Sequence, residues 1–314
     1  MGLPSSSRRL LIELCLVGAT DAAIAFAHQG ELQPPTRVGT TWSWEPGVAL
    51  SLTLLAWLYG QGVRALWQAS AVGRGIRRWE VAAFGGGWLA LAIALLSPLH
   101  TMGSVLFTAH MLQHELLMLV AAPLLVLGRP VVTCLWGLAS PWRRAPARLN
   151  KLCWVQKGWQ GLTHPLLAWS LQAVALWTWH TPGLFQAALA HRWLHTLQHL
   201  SLLASAGLFW WALIRGRQWS MRSGAAVLYV FMTSAYSGAL GALLTFAALP
   251  WYPAYAQTTM AGGLTPLEDQ QLGGLLMWVL GGIPYLIAGL ALMTQWLRTA
   301  EERVRRWESQ VLLR

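Results

Sequence analysis

Seven apolar runs of membrane-spanning length dominate this 314-residue chain and leave it few possible architectures. They lie near residues 47–67, 79–97, 103–127, 164–179, 195–214, 224–247 and 272–296. A run of about 20 apolar residues crosses the hydrocarbon core as a helix, because no water is present there to satisfy an unpaired backbone group. The chain is 55% hydrophobic and 11% charged, a balance that excludes a soluble globular fold. The expected fold is all-α: a polytopic membrane helix bundle of seven transmembrane helices, preceded by a signal-like N-terminal segment and built from parallel helix-hairpin repeats.

The formal charge of +11 would suit a nucleic-acid partner, but the basic residues sit in alternate connections between the apolar runs. Arg74, Arg77 and Arg78 form one group, Arg143, Arg144, Arg148, Lys151 and Lys157 a second, Arg215, Arg217 and Arg222 a third, and the tail a fourth. The other side carries little besides Arg37 and Arg192. The positive-inside rule places the arginine-rich connections and the C-terminus in the cytoplasm, and no nucleic acid is expected as a partner. Three divisions follow: residues 1–27, 28–297 for the membrane domain, and a basic cytoplasmic tail at 298–314.

Arg8 and Arg9 precede an apolar stretch ending in Ala25-Phe26-Ala27, the small-residue pattern of a signal-peptidase site, after which a mature chain starts at His28. Glu13 and Asp21 interrupt that stretch, so a cleaved or signal-like segment is favoured over an eighth span. In the tail, Glu301 with Arg305 and Glu302 with Arg306 stand at helical spacing, which extends the last span as a solvated or surface-lying helix. Trp142, Trp154 and Trp159 among the second basic group suit the lipid headgroup level of the bilayer. Cys15, Cys134 and Cys153 form no CxxC pair and are read as packing residues.

Two stretches read almost alike: His110-Met111-Leu112-Gln113-His114 and His195-Thr196-Leu197-Gln198-His199. Histidines four apart share one helix face, separated by about 6 Å along the axis, so each pair suits one pinched ion or two stacked ions. The echo extends upstream, to His100-Thr101-Met102-Gly103 and His180-Thr181-Pro182-Gly183. With the topology above, His100, His110, His114, His180, His191, His195 and His199 all gather at the outer ends of the second to fifth spans, leaving His164 on the cytoplasmic side. Imidazoles are costly in an apolar helix, and ligation of copper, zinc or iron satisfies their nitrogens. His110, His114, His195 and His199 are therefore candidate ligands. His100 and His180 are candidates for ligands, helix caps or partners that orient the ligands.

Met102, Met111 and Met118 accompany the first module, and thioethers favour Cu(I). Glu115 points about 100° away from His114 around the helix and is expected to pair elsewhere. The sixth and seventh spans repeat the hairpin and carry Glu268-Asp269-Gln270-Gln271 where the other modules carry HxxxH, so Asp269 joins the candidates as a ligand or an orienting partner. The glycines at 85–87, 238, 241, 273–274 and 281–282 suit close helix packing rather than phosphate binding.

At Ser97-Pro98-Leu99-His100, at His110 to His114 followed by Ala122-Pro123-Leu124-Leu125, at His180-Thr181-Pro182, at Leu194 to His199, and at Asp269-Gln270-Gln271-Leu272-Gly273-Gly274 before Met277-Trp278, the chain resembles the multi-spanning CtaG family of cytochrome c oxidase assembly factors. The resemblance implies a seven-helix protein of the plasma (inner) membrane that matures a haem-copper oxidase, with copper, as Cu(I), for cargo. It carries over His110, His114, His195, His199 and Asp269, with His100 and His180 following, as metal-site residues. It implies oxidase subunits as partners, with a copper donor on the periplasmic or extracellular side. Delivery rather than turnover is expected, with no catalytic nucleophile. Glu115 stands where an apolar residue is expected in the family, so no role carries over to it. Zinc or haem in place of copper, a membrane cytochrome, and a copper or proton-coupled transporter are the alternative readings.

Overall fold

A computed structural model describes residues 42, 45–139, 153–216 and 223–312, and every regular element among them is helical. Segment 1–27, Cys15, His28, Arg37, Trp142, Arg143, Arg144, Arg148, Lys151, Arg217 and Arg222 lie outside the described residues.

The helices are α1 (Pro46–Ser70), α2 (Arg78–Leu96), α3 (Pro98–Gly103), α4 (Phe107–Leu127), α5 (Pro130–Gly137), α6 (Cys153–Leu162), α7 (Pro165–Trp179), α8 (Pro182–Ala190), α9 (Arg192–Arg215) and α10 (Ser223–Thr245). They continue as α11 (Pro266–Leu275) and α12 (Gly282–Leu312), which one π turn, Leu276–Leu280, joins into a single rod. Proline occupies the first turn of α1, α3, α5, α7, α8 and α11, where its missing N–H has no partner to lose and its fixed φ suits the helix.

Among the described residues, five helical segments are long and apolar enough to cross a membrane: α2, α4, α9, most of α10, and the rod Pro266–Val311. All seven expected runs form helices, yet two fall outside that set. Helix α7 has 15 residues, about 22 Å against a hydrocarbon core of about 30 Å. Helix α1 has 25 residues, but Gln61, Arg64 and Gln68 dilute its apolar character.

Three successive units share one order: a long helix, a short helical connector and a second long helix. They are α2–α3–α4, α7–α8–α9, and α10 followed by two 3-10 turns (Pro253–Tyr255 and Thr259–Gly262) and then α11. The main core lies among the second helices of these units and α10, and is filled by Phe107, Met111, Leu202, Phe209, Leu240 and Met277. Helices α10 and α11 cross at Gly241 and Gly274. A Cβ on Gly274 would stand 2.7 Å from the Thr245 nitrogen and 2.8 Å from the Gly241 oxygen, so the backbones touch as small residues permit in membrane bundles.

At the ends of α2, α4 and α9 farthest from the histidines, Glu80 pairs with Arg215 at 3.5 Å and Arg129 at 3.8 Å, and Arg215 also donates to the Leu127 carbonyl at 2.9 Å. The buried carboxylate thus ties three helix ends together, and Arg215 satisfies a terminal carbonyl. Histidines and this arginine clasp occupy opposite ends of the bundle.

Candidate metal centre

Six histidines converge where the first turns of α4 and α9 meet the connectors α3 and α8. Ser97 caps α3 by accepting from the Leu99 N–H, and Pro98 follows it, which turns the chain and sets His100 beside the cluster. His110 and His114 lie one turn apart on α4, with their Nε2 atoms 3.0 Å apart. On α9, the His195 and His199 rings are 4.2 Å apart between centroids. His180 ends α7, and its Nδ1 lies 2.7 Å from the Leu176 carbonyl.

Across helices, the His110 ring stands 5.3 Å from His195 and 5.7 Å from His199, and His114 stands 5.3 Å from His199 and 5.6 Å from His180. One ligating nitrogen from each of His110, His195 and His199 lies within 4.8 Å of the others. An all-imidazole donor set fits copper, zinc or iron. His114 Nδ1, His180 Nε2 and His199 Nε2 are buried and lack a hydrogen-bond partner among the described residues, the condition in which ligation repays the lost hydration.

His100 is tied differently. The Gln113 amide donates to the Ala94 carbonyl at 2.8 Å and to His100 Nδ1 at 3.0 Å, which leaves His100 Nε2 facing the Glu45 carboxylate at 3.7 Å. That imidazole holds the Glu45 carboxyl below the usual carboxylate range, against the opposing effect of burial. His100 is thereby oriented by two partners beside the triad. Glu45, His100, Arg192, His195 and His199 line a cleft between α1 and α9, by which the cluster is reached from the bundle surface.

Asp269 stands apart from the imidazoles' nitrogens. A capping box at Thr265 and Glu268 starts α11 and sets Asp269 in its first turn. There its carboxylate accepts from the backbone N–H of Phe107 at 2.6 Å and of Thr108 at 3.0 Å. It caps, from another helix, the start of the helix that carries His110 and His114. His191 is exposed at the start of α9, and His164 precedes α7, well removed in sequence and element from the cluster. Two of the thioethers do not join the imidazoles either: Met111 packs in the core against Gly273, and Met118 Sδ accepts from Gln172 at 3.7 Å. Glu115 is buried against Gly281, with Oε2 unpartnered among the described residues.

Comparison with known proteins supplies the deciding observation. The profile of one family, cytochrome c oxidase caa3 assembly factor (Caa3_CtaG), matches residues 57–299. The chain belongs to this family. Among curated proteins it is 29% identical over 279 residues to the uncharacterized protein Mb0105 of Mycobacterium bovis and to MT0111 of Mycobacterium tuberculosis. It is 26% identical to ML1998 of Mycobacterium leprae. Each alignment covers 85% of this chain and 41% of the relative, so the chain spans about two fifths of these relatives' length. No solved structure matches.

In this chain several residues shape the site that histidine spacing alone does not reveal. Tyr252 donates to the His180 carbonyl at 2.8 Å, and Tyr255 donates to the Gly103 carbonyl at 2.7 Å with its hydroxyl 3.4 Å from His110 Nδ1. Both tyrosines come from the connector between α10 and α11 and pack with Phe107 and Phe185, which walls the imidazoles with aromatic rings. The nearest sequence signal is the aromatic run Trp251-Tyr252-Pro253-Ala254-Tyr255, placed where the other units carry a connector helix. Gln198 is buried beside His199, and neither of its amide atoms has a partner among the described residues.

Proposed function

We propose that the chain is a seven-span inner-membrane protein that holds copper, as Cu(I), on His110, His195 and His199 and passes it to a cytochrome c oxidase during assembly. The observation that carries the reading is the approach of three ligating nitrogens to within 4.8 Å, from two different helices, in a member of an oxidase assembly family. Cargo must leave, so a site of neutral, exchangeable imidazoles beside a cleft suits delivery better than a closed tetrahedral cage would. His195 stands at the cleft, which makes α9 the face from which an oxidase subunit takes the ion. A copper donor on the outer side of the membrane is the partner at loading.

The orientation follows from charge. The end bearing Arg74, Arg77, Arg129 and Arg215 faces the cytoplasm by the positive-inside rule, and the histidines, at the other end of the same helices, face the outer side. Copper is favoured over haem because the His110 ring stands only 5.3 Å from His195 and 5.7 Å from His199 across the two helices, which leaves no slot for a macrocycle within the triad. With Met111 and Met118 outside the cluster, the preference for Cu(I) over zinc rests on membership of an oxidase assembly family rather than on a thioether ligand.

The reading is tested in cells lacking the gene and supplied with wild-type protein or with the pairs His110→Ala/His114→Ala or His195→Ala/His199→Ala. The expected result is normal membrane insertion with loss of mature, copper-loaded oxidase in both variants. Full oxidase maturation by either variant would overturn it, and a Soret band in the purified protein would point to the cytochrome reading instead.

A further inference from the structure

The triad of His110, His195 and His199 leaves two imidazoles of the cluster without a task, and they lie together. We propose a second, inner ion position between His114 and His180, so that the chain carries two cuprous ions in series; this rests on reading the cluster as a copper site.

His180 carries the argument. The Leu176 carbonyl can only accept, so His180 Nδ1, 2.7 Å away, holds the proton, and Nε2 is left as a bare lone pair. Pinning one ring nitrogen to a backbone carbonyl fixes the tautomer and aims the other at a ligand, as in established metal-histidine sites. Nε2 is buried and has no donor among the described residues. A helix-capping role would use Nδ1 alone and would leave that buried acceptor unexplained. The nearest imidazole is His114, whose ring centroid is 5.6 Å away and whose own Nδ1 is also buried without a partner. Two neighbouring imidazoles, set edge to face, supply the two donors that suffice for Cu(I), whereas zinc requires about four ligands.

Position sets the order of filling. His100, His195 and His199 line the cleft, while His114 and His180 do not and are 0% and 1% exposed. His199 lies between the two groups, with its ring 5.3 Å from His114. An ion bound at His114 and His180 therefore enters and leaves through the triad, and the outer ion is released first.

The test is the stoichiometry of Cu(I) bound anaerobically by the purified full-length chain in detergent, with release to a chelator followed in time. The wild type is expected to bind two ions and to release them in a fast and a slow phase. His180→Asn keeps an amide donor for the Leu176 carbonyl but has no Nε2, and is expected to bind one ion with the slow phase lost. One ion released in a single phase by the wild type, or two ions retained by His180→Asn, would overturn the inner position and leave the triad standing. No copper bound by the folded wild type would overturn the copper reading itself. Because the two release phases are read on the wild type, the inference stays testable if the variant fails to fold.

Discussion

Replacing Asp269 by alanine removes the acceptor of two backbone N–H groups at the start of α4, the buried one of Phe107 and the part-buried one of Thr108. A buried donor left unsatisfied costs about 1–3 kcal/mol, so the pair costs about 2–6 kcal/mol. Loss of a negative charge at a helix N-terminus adds about 0.3–1 kcal/mol. A destabilisation near 4 kcal/mol is expected for Asp269→Ala, and roughly half of it for Asp269→Asn, which keeps one acceptor oxygen. Equilibrium unfolding in mixed micelles measures the loss, and hydrogen exchange locates it: the amides of Phe107 and Thr108 should lose protection first. Copper binding by the folded variant should weaken with unchanged stoichiometry, because the carboxylate positions the helix that carries His110 and His114. Unchanged stability together with the loss of one ion per chain would refute this reasoning and make Asp269 a ligand.

Gly274→Ala would place a Cβ 2.7–2.8 Å from backbone atoms of α10, and a destabilisation of about 1–3 kcal/mol should appear in the same unfolding assay. Tyr255→Phe removes the donor to the Gly103 carbonyl and should cost about 1 kcal/mol, with faster copper release as the wall beside His110 loosens. The Glu45 carboxyl has its pKa lowered by His100 in the folded protein. Its contribution to stability is therefore complete above the unfolded carboxylate value of about 4.3 and is lost as the pH falls from there through the lower folded value. Unfolding midpoints measured from pH 7 to pH 3 should decline less steeply for Glu45→Gln than for the wild type, and equal slopes would remove Glu45 from the account.

What was readable from the sequence is what repeats locally. Helical spacing put His110 with His114 and His195 with His199 on shared faces, and alternating basic connections put both pairs at one end of the bundle, where the structure brings them together. The hairpin order was also readable, since proline at the first turn marks the start of α3, α7, α8 and α11. Asp269 was readable as a residue of the site but not in its task. Its partners lie 161 and 162 residues away, and only the packing of α11 on the start of α4 brings them within reach. Met111 follows His110 by one residue, about 100° around the helix, and so points into the core. Tyr252 and Tyr255 lie in a connector with no helical period, so nothing in their spacing announces that they wall the cluster. The π turns at Leu116–Ala121 and Leu276–Leu280 carry no signature in the sequence, nor does the approach of Glu115 to Gly281 beside them.

The central claim is that imidazoles from α4 and α9 hold one ion jointly. Its most direct measurement is the copper content of the chain purified from copper-supplied cells, wild type against His195→Ala/His199→Ala, with each protein's fold checked by its helical circular dichroism. The wild type should carry copper and the variant, equally folded, should lose the ion bound by the triad. Equal copper in both proteins, or none in the wild type, would contradict the account.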